Sequence, residues 1–232
     1  MEIGSAEWTT VIMDGAAKLG IDVSEKQAGL FAVHAREMVR WNQRLNLTAV
    51  TDPFEMAIKH YLDSIAAVLF IEPGAALLDV GSGGGFPGIP LKIMLPSLNV
   101  TLLEARRKRV SFLKHGLRSL GLVDVTVLND RLENATELLA PGDGFDVIVS
   151  RAFSHLEAFV AQALPLLNPG GCLLAYKGIR GERLDSELTG LAKMDVKSVN
   201  KQPHQEETRL HIDIQSYVLP WLGMQRTFVI IR

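Results

Sequence analysis

The stretch Leu77–Pro90, LLDVGSGGGFPGIP, places five glycines in the eight positions from Gly81 to Gly88. An apolar run precedes it, and the helical-looking IPLKIML (89–95) follows. Glycine in such a turn costs order and adds nothing to packing. Either the chain turns unusually tightly there, or something comes close to the bare main chain. The periodicity on either side sets the frame. Residues 1–71 carry apolar residues at helical spacing in EWTTVIMDGAAKLG (7–20) and SEKQAGLFAVHAREMVRWNQRL (24–45). Ser24 with Gln27 three residues on reads as a capping box. Asp52 followed by Pro53 reads as the start of a helix over 52–71, which EPG (72–74) breaks.

From residue 75 strands and helices alternate. Strands are expected at 75–80, 99–104, 123–129, 145–150 and 170–178, and helices at 89–95, 106–121, 132–140, 156–167 and 182–193. The tail, LHIDIQSYVL (210–219) and QRTFVIIR (225–232), reads as two strands joined by PWLGM, with one antiparallel member. Alternation of this kind demands a mostly parallel sheet with helices on both faces, here of seven strands. Such sheets bind ligands at the carboxyl ends of their strands, where the winding reverses. The glycine turn follows the first strand and falls at that point.

Composition narrows the function. The 232 residues suit one α/β domain with a small appendage. A single cysteine, Cys172, forms no internal disulfide, and no Cys/His cluster has zinc spacing, so a reducing cytoplasm and no metal are expected. The N-terminus lacks a basic start and an apolar signal core, and the longest apolar run, IAAVLFI (65–71), is too short to span a membrane. Net charge is −2, which argues mildly against a nucleic-acid partner, but Arg106, Arg107, Lys108, Arg109, Lys114 and Arg118 crowd one predicted helix. A patch of this kind suits a phosphate backbone, and an ordinary solvated helix face suits it equally.

The glycine spacing is Asp79-x-Gly81-x-Gly83-x-Gly85, whereas a dinucleotide turn needs its last glycine at position 86, which is Phe86. The acid-x-G-x-G-x-G pattern resembles the first motif of S-adenosylmethionine-dependent methyltransferases. Glu104, ending the next strand, suits both ribose hydroxyls, and Asp130 suits the adenine amine or a helix cap. Ser150-Arg151-Ala152-Phe153 is not the Asn/Asp-Pro-Pro-aromatic of exocyclic-amine methylation, and Cys172 lies inside a strand rather than at a nucleophile's position. An acceptor that is already nucleophilic fits both absences. Guanine N7 is one: a bare lone pair with no proton to remove.

The segments NLTAVTDPFEMAIKHYLDS, LLDVGSGGGFPGIPLKI, KRVSFLK, SRAF and LAYKG occur in that order. Together, over residues 40–232, they resemble the small-subunit rRNA methyltransferase G family, also called glucose-inhibited division protein B. The resemblance implies S-adenosylmethionine-dependent methylation of guanine N7 in the 530 loop of bacterial 16S rRNA, within a 30S subunit or its precursor. It implies that Gly81, Ser82, Gly83, Gly85, Phe86, Pro87 and Gly88 line the cofactor, with Glu104 at the ribose. Arg131, Leu132 and Glu133 match the adenine-side segment, with Leu132 where alanine is frequent. Arg151 and Lys177 match pocket residues. Arg151 is the candidate catalytic and cofactor contact, with guanine O6, a phosphate or the methionine carboxylate as its partner; no general base is assigned. His60, Lys177 and the 106–109 cluster are the candidate RNA contacts. Asn46, Thr48 and Asp63 are further candidates near the cleft, and Phe86 and Phe153 are candidate aromatic neighbours of the base. The expected architecture is a Rossmann-like methyltransferase domain (72–232) with an N-terminal helical extension (1–71), working as a monomer. Two rival readings stay open: a small-molecule methyltransferase with residues 1–71 as a lid, and a non-catalytic cofactor- and RNA-binding assembly factor.

Overall fold

The computed structural model describes residues 1–134, 144–151, 153, 155–178, 181–194 and 210–232. Ser24 and Gln27 form the reciprocal capping box that starts helix α2 (Glu25–Leu45), which packs beside α1 (Ala6–Lys18). Asp52 Oδ1 accepts from the Glu55 N–H at 2.8 Å, with Pro53 opening the next helix. That segment, α3, is not the plain helix its spacing predicts. It runs α over Pro53–Met56, π over Ala57–Leu62, α over Asp63–Ile65 and 3-10 over Ala66–Phe70.

The sheet has seven strands: β1 (Ala76–Val80), β2 (Asn99–Leu103), β3 (Val125–Leu128), β4 (Phe145–Ser150), β5 (Leu167–Lys177), β6 (Ile212–Leu219) and β7 (Met224–Ile231). Their order is β3-β2-β1-β4-β5-β7-β6, parallel except for β7, which runs against both neighbours. β5 starts earlier than expected, because the predicted 156–167 helix gives way after α6 (Leu156–Ala163) to a single 3-10 turn at Leu164–Leu166. The predicted helix over 132–140 lies outside the described residues beyond Asn134.

Side chains alternate across the sheet, as a pleated strand requires. Leu77, Val147 and Val149 face one core layer, shared with α1–α3, α4 (Gly88–Met94) and α5 (Arg107–Leu120). Leu78 and Ile148 face the other, with α6 and α7 (Glu182–Ala192). Trp8, Phe31 and Tyr61 share the first core with Leu77, Phe112 and Phe228, so it runs unbroken across residue 72. The winding reverses between β1 and β4, and the glycine turn leaves β1 there.

Candidate active site

The glycines of the turn divide by task. Gly81, Gly83 and Gly85 all have positive φ, at 75°, 55° and 88°, which only glycine adopts freely. A Cβ on Gly83 would make only ordinary contacts, with Arg109 Nη1 and the Gly81 carbonyl at 3.7 Å. A Cβ on Gly85 would drive into Ile89, and one on Gly88 would come within 2.8 Å of Asp79 Oδ2 and strike Leu102. Gly85 and Gly88 are therefore needed for close packing of α4 on β1 and β2, while Gly83 leaves room at the surface of the turn. Asp79 Oδ2 accepts the Gly88 N–H at 2.9 Å, tying the end of β1 to the start of α4. Asp79 is wholly buried, its Oδ1 has no partner, and burial pushes its pKa up to about 7 against the pull of that N–H. Ser82 is buried too, its hydroxyl donating to Asp79 O at 2.9 Å. Phe86 lies beneath His60, whose ring stacks on it at 4.7 Å and 20°, and beside Tyr61 and His34. It is core and offers no open face to a base. The Phe86–Pro87 peptide is cis.

Beyond Gly81, at the carboxyl ends of β1 to β3, lies a cavity of about 260 Å³. Its lining includes Gly81, Glu104, Asp130, Arg131, Leu132 and Phe153. The Glu104 carboxylate is fixed from both sides: Oε2 accepts the Gly83 N–H at 3.0 Å and Oε1 the Arg106 N–H at 2.8 Å. Each oxygen keeps a second lone pair for a hydroxyl. Asn129, which the sequence reading did not single out, donates to the carbonyls of Glu104 and Ala105 at 3.0 Å and so holds the end of β2. Asp130 Oδ1 accepts the Arg131 N–H and the Asn134 amide, both at 2.7 Å, and these bonds lower its pKa. Leu132 is 4% exposed and forms part of the cavity's apolar floor. Glu133 also lines the cavity.

The cationic residues separate as well. Arg106, Arg107, Lys108, Lys114 and Arg118 are exposed on α5 and the turn before it. Arg109 points inward instead, with Nη1 3.8 Å from Glu104 Oε2 and its Nε buried without a partner. Lys177 reaches Glu187 Oε2 at 2.8 Å and the Phe153 carbonyl at 3.3 Å, bracing α7 against the end of β4. His60 is held neutral: burial first, then the nearby Arg151 charge, bring its pKa down to about 3. Its Nε2 meets Thr48 Oγ1 at 2.7 Å, and Asn46 is the left-handed cap that ends α2.

Arg151, at the end of β4, turns into the protein. Its Nη1 donates to Ser64 Oγ at 2.9 Å and His60 O at 3.4 Å, its Nη2 donates to Lys59 O at 2.9 Å, and Nη2 forms an ion pair with Asp63 Oδ2 at 2.9 Å. Both terminal nitrogens of the guanidinium are thereby engaged. The π turn supplies two of those acceptors, the Lys59 and His60 carbonyls. Asp63 accepts in addition from Tyr217 OH at 2.7 Å and Arg226 Nε at 3.3 Å. Ser64, Tyr217 and Arg226 carried no local sequence signal, because Tyr217 and Arg226 lie more than 150 residues from Asp63 in the chain.

A family model described as rRNA small subunit methyltransferase G matches residues 27–212. The chain belongs to the rRNA small subunit methyltransferase G family. It is 36% identical to the Ribosomal RNA small subunit methyltransferase G of Geobacter sulfurreducens over 220 residues, covering 94% of each chain. It is 42% identical to that of Geobacter metallireducens over 179 residues, covering 77% of this chain and 80% of the other. Among solved structures, an O-methyltransferase from Bacillus cereus in complex with SAH superposes with a TM-score of 0.61 at 17% identity, covering 97% and 98% of the two chains. That likeness speaks for the Rossmann-like methyltransferase fold alone. The residues present fit an adenosyl cofactor: a fixed carboxylate with lone pairs to spare, bare main chain at Gly81, and an apolar floor at Leu132 and Phe153.

Proposed function

We propose that this chain transfers a methyl group from S-adenosylmethionine to N7 of a guanine in the 530 loop of bacterial 16S rRNA. The observation that supports it most is the cavity beside Gly81 with its doubly anchored Glu104, in a member of this family. Glu104 would hold the ribose, Gly81 and Gly83 would lie against the cofactor, and Asp130 to Glu133 would flank the adenine. The bound cofactor supplies an electrophilic methyl on a sulfonium. Guanine N7 carries a lone pair and no proton, so the chain needs to position and desolvate rather than to deprotonate. Three features support that reading: Glu104 is engaged by main-chain N–H groups, Asp79 is sealed beneath the turn, and burial with the nearby Arg151 charge keeps His60 neutral.

The exposed cations of α5 would meet RNA phosphates, with the subunit or its assembly precursor as substrate and the cytoplasm as the place of action. A monomer suffices for this site. Among the described residues no helix is long and apolar enough to cross a membrane. None of the cavity's lining comes from residues 1–71, which speaks against the reading of that segment as a lid. Mass spectrometry of 16S rRNA from cells lacking the protein tests the proposal. One 7-methylguanosine should disappear, and the purified protein with S-adenosylmethionine should restore it. Unchanged rRNA refutes the reading, and binding of cofactor and RNA without turnover favours the assembly-factor alternative.

A further inference from the structure

We infer that Asp63 is a positioning residue that acts through Arg151: the pair locks the π turn Ala57–Leu62 against the glycine turn, and methyl transfer depends on that lock. This rests on the proposed function above. Asp63 is 3% exposed, so its charge is stabilised by partners rather than by water. Each oxygen has a distinct task. Oδ2 takes Arg151 Nη2 at 2.9 Å, and Oδ1 takes Tyr217 and Arg226 from the β6–β7 hairpin. With Nη2 so fixed, the guanidinium plane is set and its remaining donors reach the two carbonyls and the Ser64 hydroxyl of the π segment. Ser64 is itself held, its hydroxyl donating to His60 O at 2.5 Å and its carbonyl accepting from Tyr176 OH at 2.8 Å.

The π turn in turn carries His60, whose ring lies flat on Phe86, the residue next to Gly85. A continuous chain of contacts thus runs from the C-terminal hairpin through Asp63, Arg151 and His60 to the turn beside the cavity. An ordinary structural ion pair would need none of this directionality. A single carboxylate bonded to two arginines and a tyrosine from β4, β6 and β7 fixes a relative placement that no one element imposes.

The test is a double-mutant cycle. Asp63→Asn, Arg151→Gln and the double variant are assayed for methyl transfer to 16S rRNA, under conditions where urea titration shows each to be folded. We expect each single change to lower kcat about tenfold or more, with the calorimetric Kd for S-adenosylmethionine altered less than about threefold. The double variant should be no worse than the worse single one. Additive losses overturn the inference. Tyr217→Phe removes one Oδ1 donor and leaves the Asp63–Arg151 pair intact, so its kcat loss should be clearly smaller than that of Asp63→Asn. A kcat loss equal to that of Asp63→Asn refutes positioning through Arg151. Should Asp63→Asn fail to fold, Arg151→Lys keeps the charge opposite Asp63 and loses the fork to the carbonyls. It should show the same kcat loss, with faster amide exchange confined to residues 60–65; wild-type kcat and exchange there sink the idea. Absence of methyl transfer by the unmodified protein would instead refute the proposed function, so the two failures are distinguishable.

Discussion

Acidification offers a quantitative test of how the histidines are buried. His34 is wholly enclosed between Phe86, Phe112 and Tyr61, with Nδ1 3.1 Å from the Tyr61 hydroxyl. Burial brings its pKa down to about 4, and that of His60 to about 3, from 6.5 in the unfolded chain. A depressed histidine pKa contributes stability that is present above 6.5 and is lost as pH falls toward the folded value. Between about pH 8 and about pH 5 each histidine therefore costs about 2 kcal/mol, since the unfolded chain gains protons that the folded chain refuses. Asp79 opposes them. Its pKa is raised to about 7, so its stabilisation is complete below 3.8 and lost as pH rises through 7. Acidifying over the same range returns about 2.5 kcal/mol through Asp79, leaving a net loss of about 1.5 kcal/mol from the three groups. His34→Phe deletes one histidine contribution and turns that net loss into a gain of about 0.5 kcal/mol. The variant also strands the Tyr61 hydroxyl, at about 1–3 kcal/mol, but this cost is the same at both pH values and cancels in the difference. Urea titrations of wild type and variant at the two pH values give the four free energies. Equal pH-dependent changes, within about 0.5 kcal/mol, would refute the assignment of His34 as a neutral buried base.

The remaining predictions concern the turn and the basic helix. Gly83→Asp should keep the fold, because a Cβ there meets nothing within 3.4 Å, yet abolish cofactor binding by filling the space beside Glu104; unchanged affinity in calorimetry removes Gly83 from the site. Gly85→Ala should do the opposite, costing about 2 kcal/mol of stability from the collision with Ile89 and the φ of 88°, read as a fall in urea midpoint. Arg107→Glu with Lys108→Glu should weaken RNA binding and flatten its dependence on log salt by about 1.5 or more, since both side chains are exposed on α5; an unaltered slope takes that face off the RNA.

The strand–helix order, the capping box at Ser24, the stop at Gly121 and the antiparallel last strand were legible because each rests on a local signal: periodicity, a cap, or a glycine at positive φ. The glycine motif was legible as a place but not as a division of labour. Gly83 and Gly85 are identical letters, and only the position of Ile89 across the turn distinguishes an open face from a packed one. Arg109 and Lys177 looked like surface cations by type. Glu104 and Glu187 draw them inward, and pairings set by the winding of the sheet leave no trace in local spacing. The π turn was hidden for a related reason. Its extra residue leaves the apolar pattern of 52–71 almost unchanged, and what stabilises it is an arginine about 90 residues away.

That arginine also bears on the chemistry. Alkylation of N7 puts positive charge on the guanine, and a free guanidinium beside it would oppose the product. Arg151 is not free. Its charge faces the Asp63 carboxylate at 2.9 Å, and its Nη atoms donate to Ser64 and two carbonyls. Arg226 Nε shares the same carboxylate at 3.3 Å, so Asp63 offsets one of two guanidinium charges. The same network occupies both Nη atoms, so a bidentate grip on a cofactor carboxylate or on a guanine edge would compete with these partners. An arginine held this firmly keeps the π turn in place, and with it His60 over Phe86.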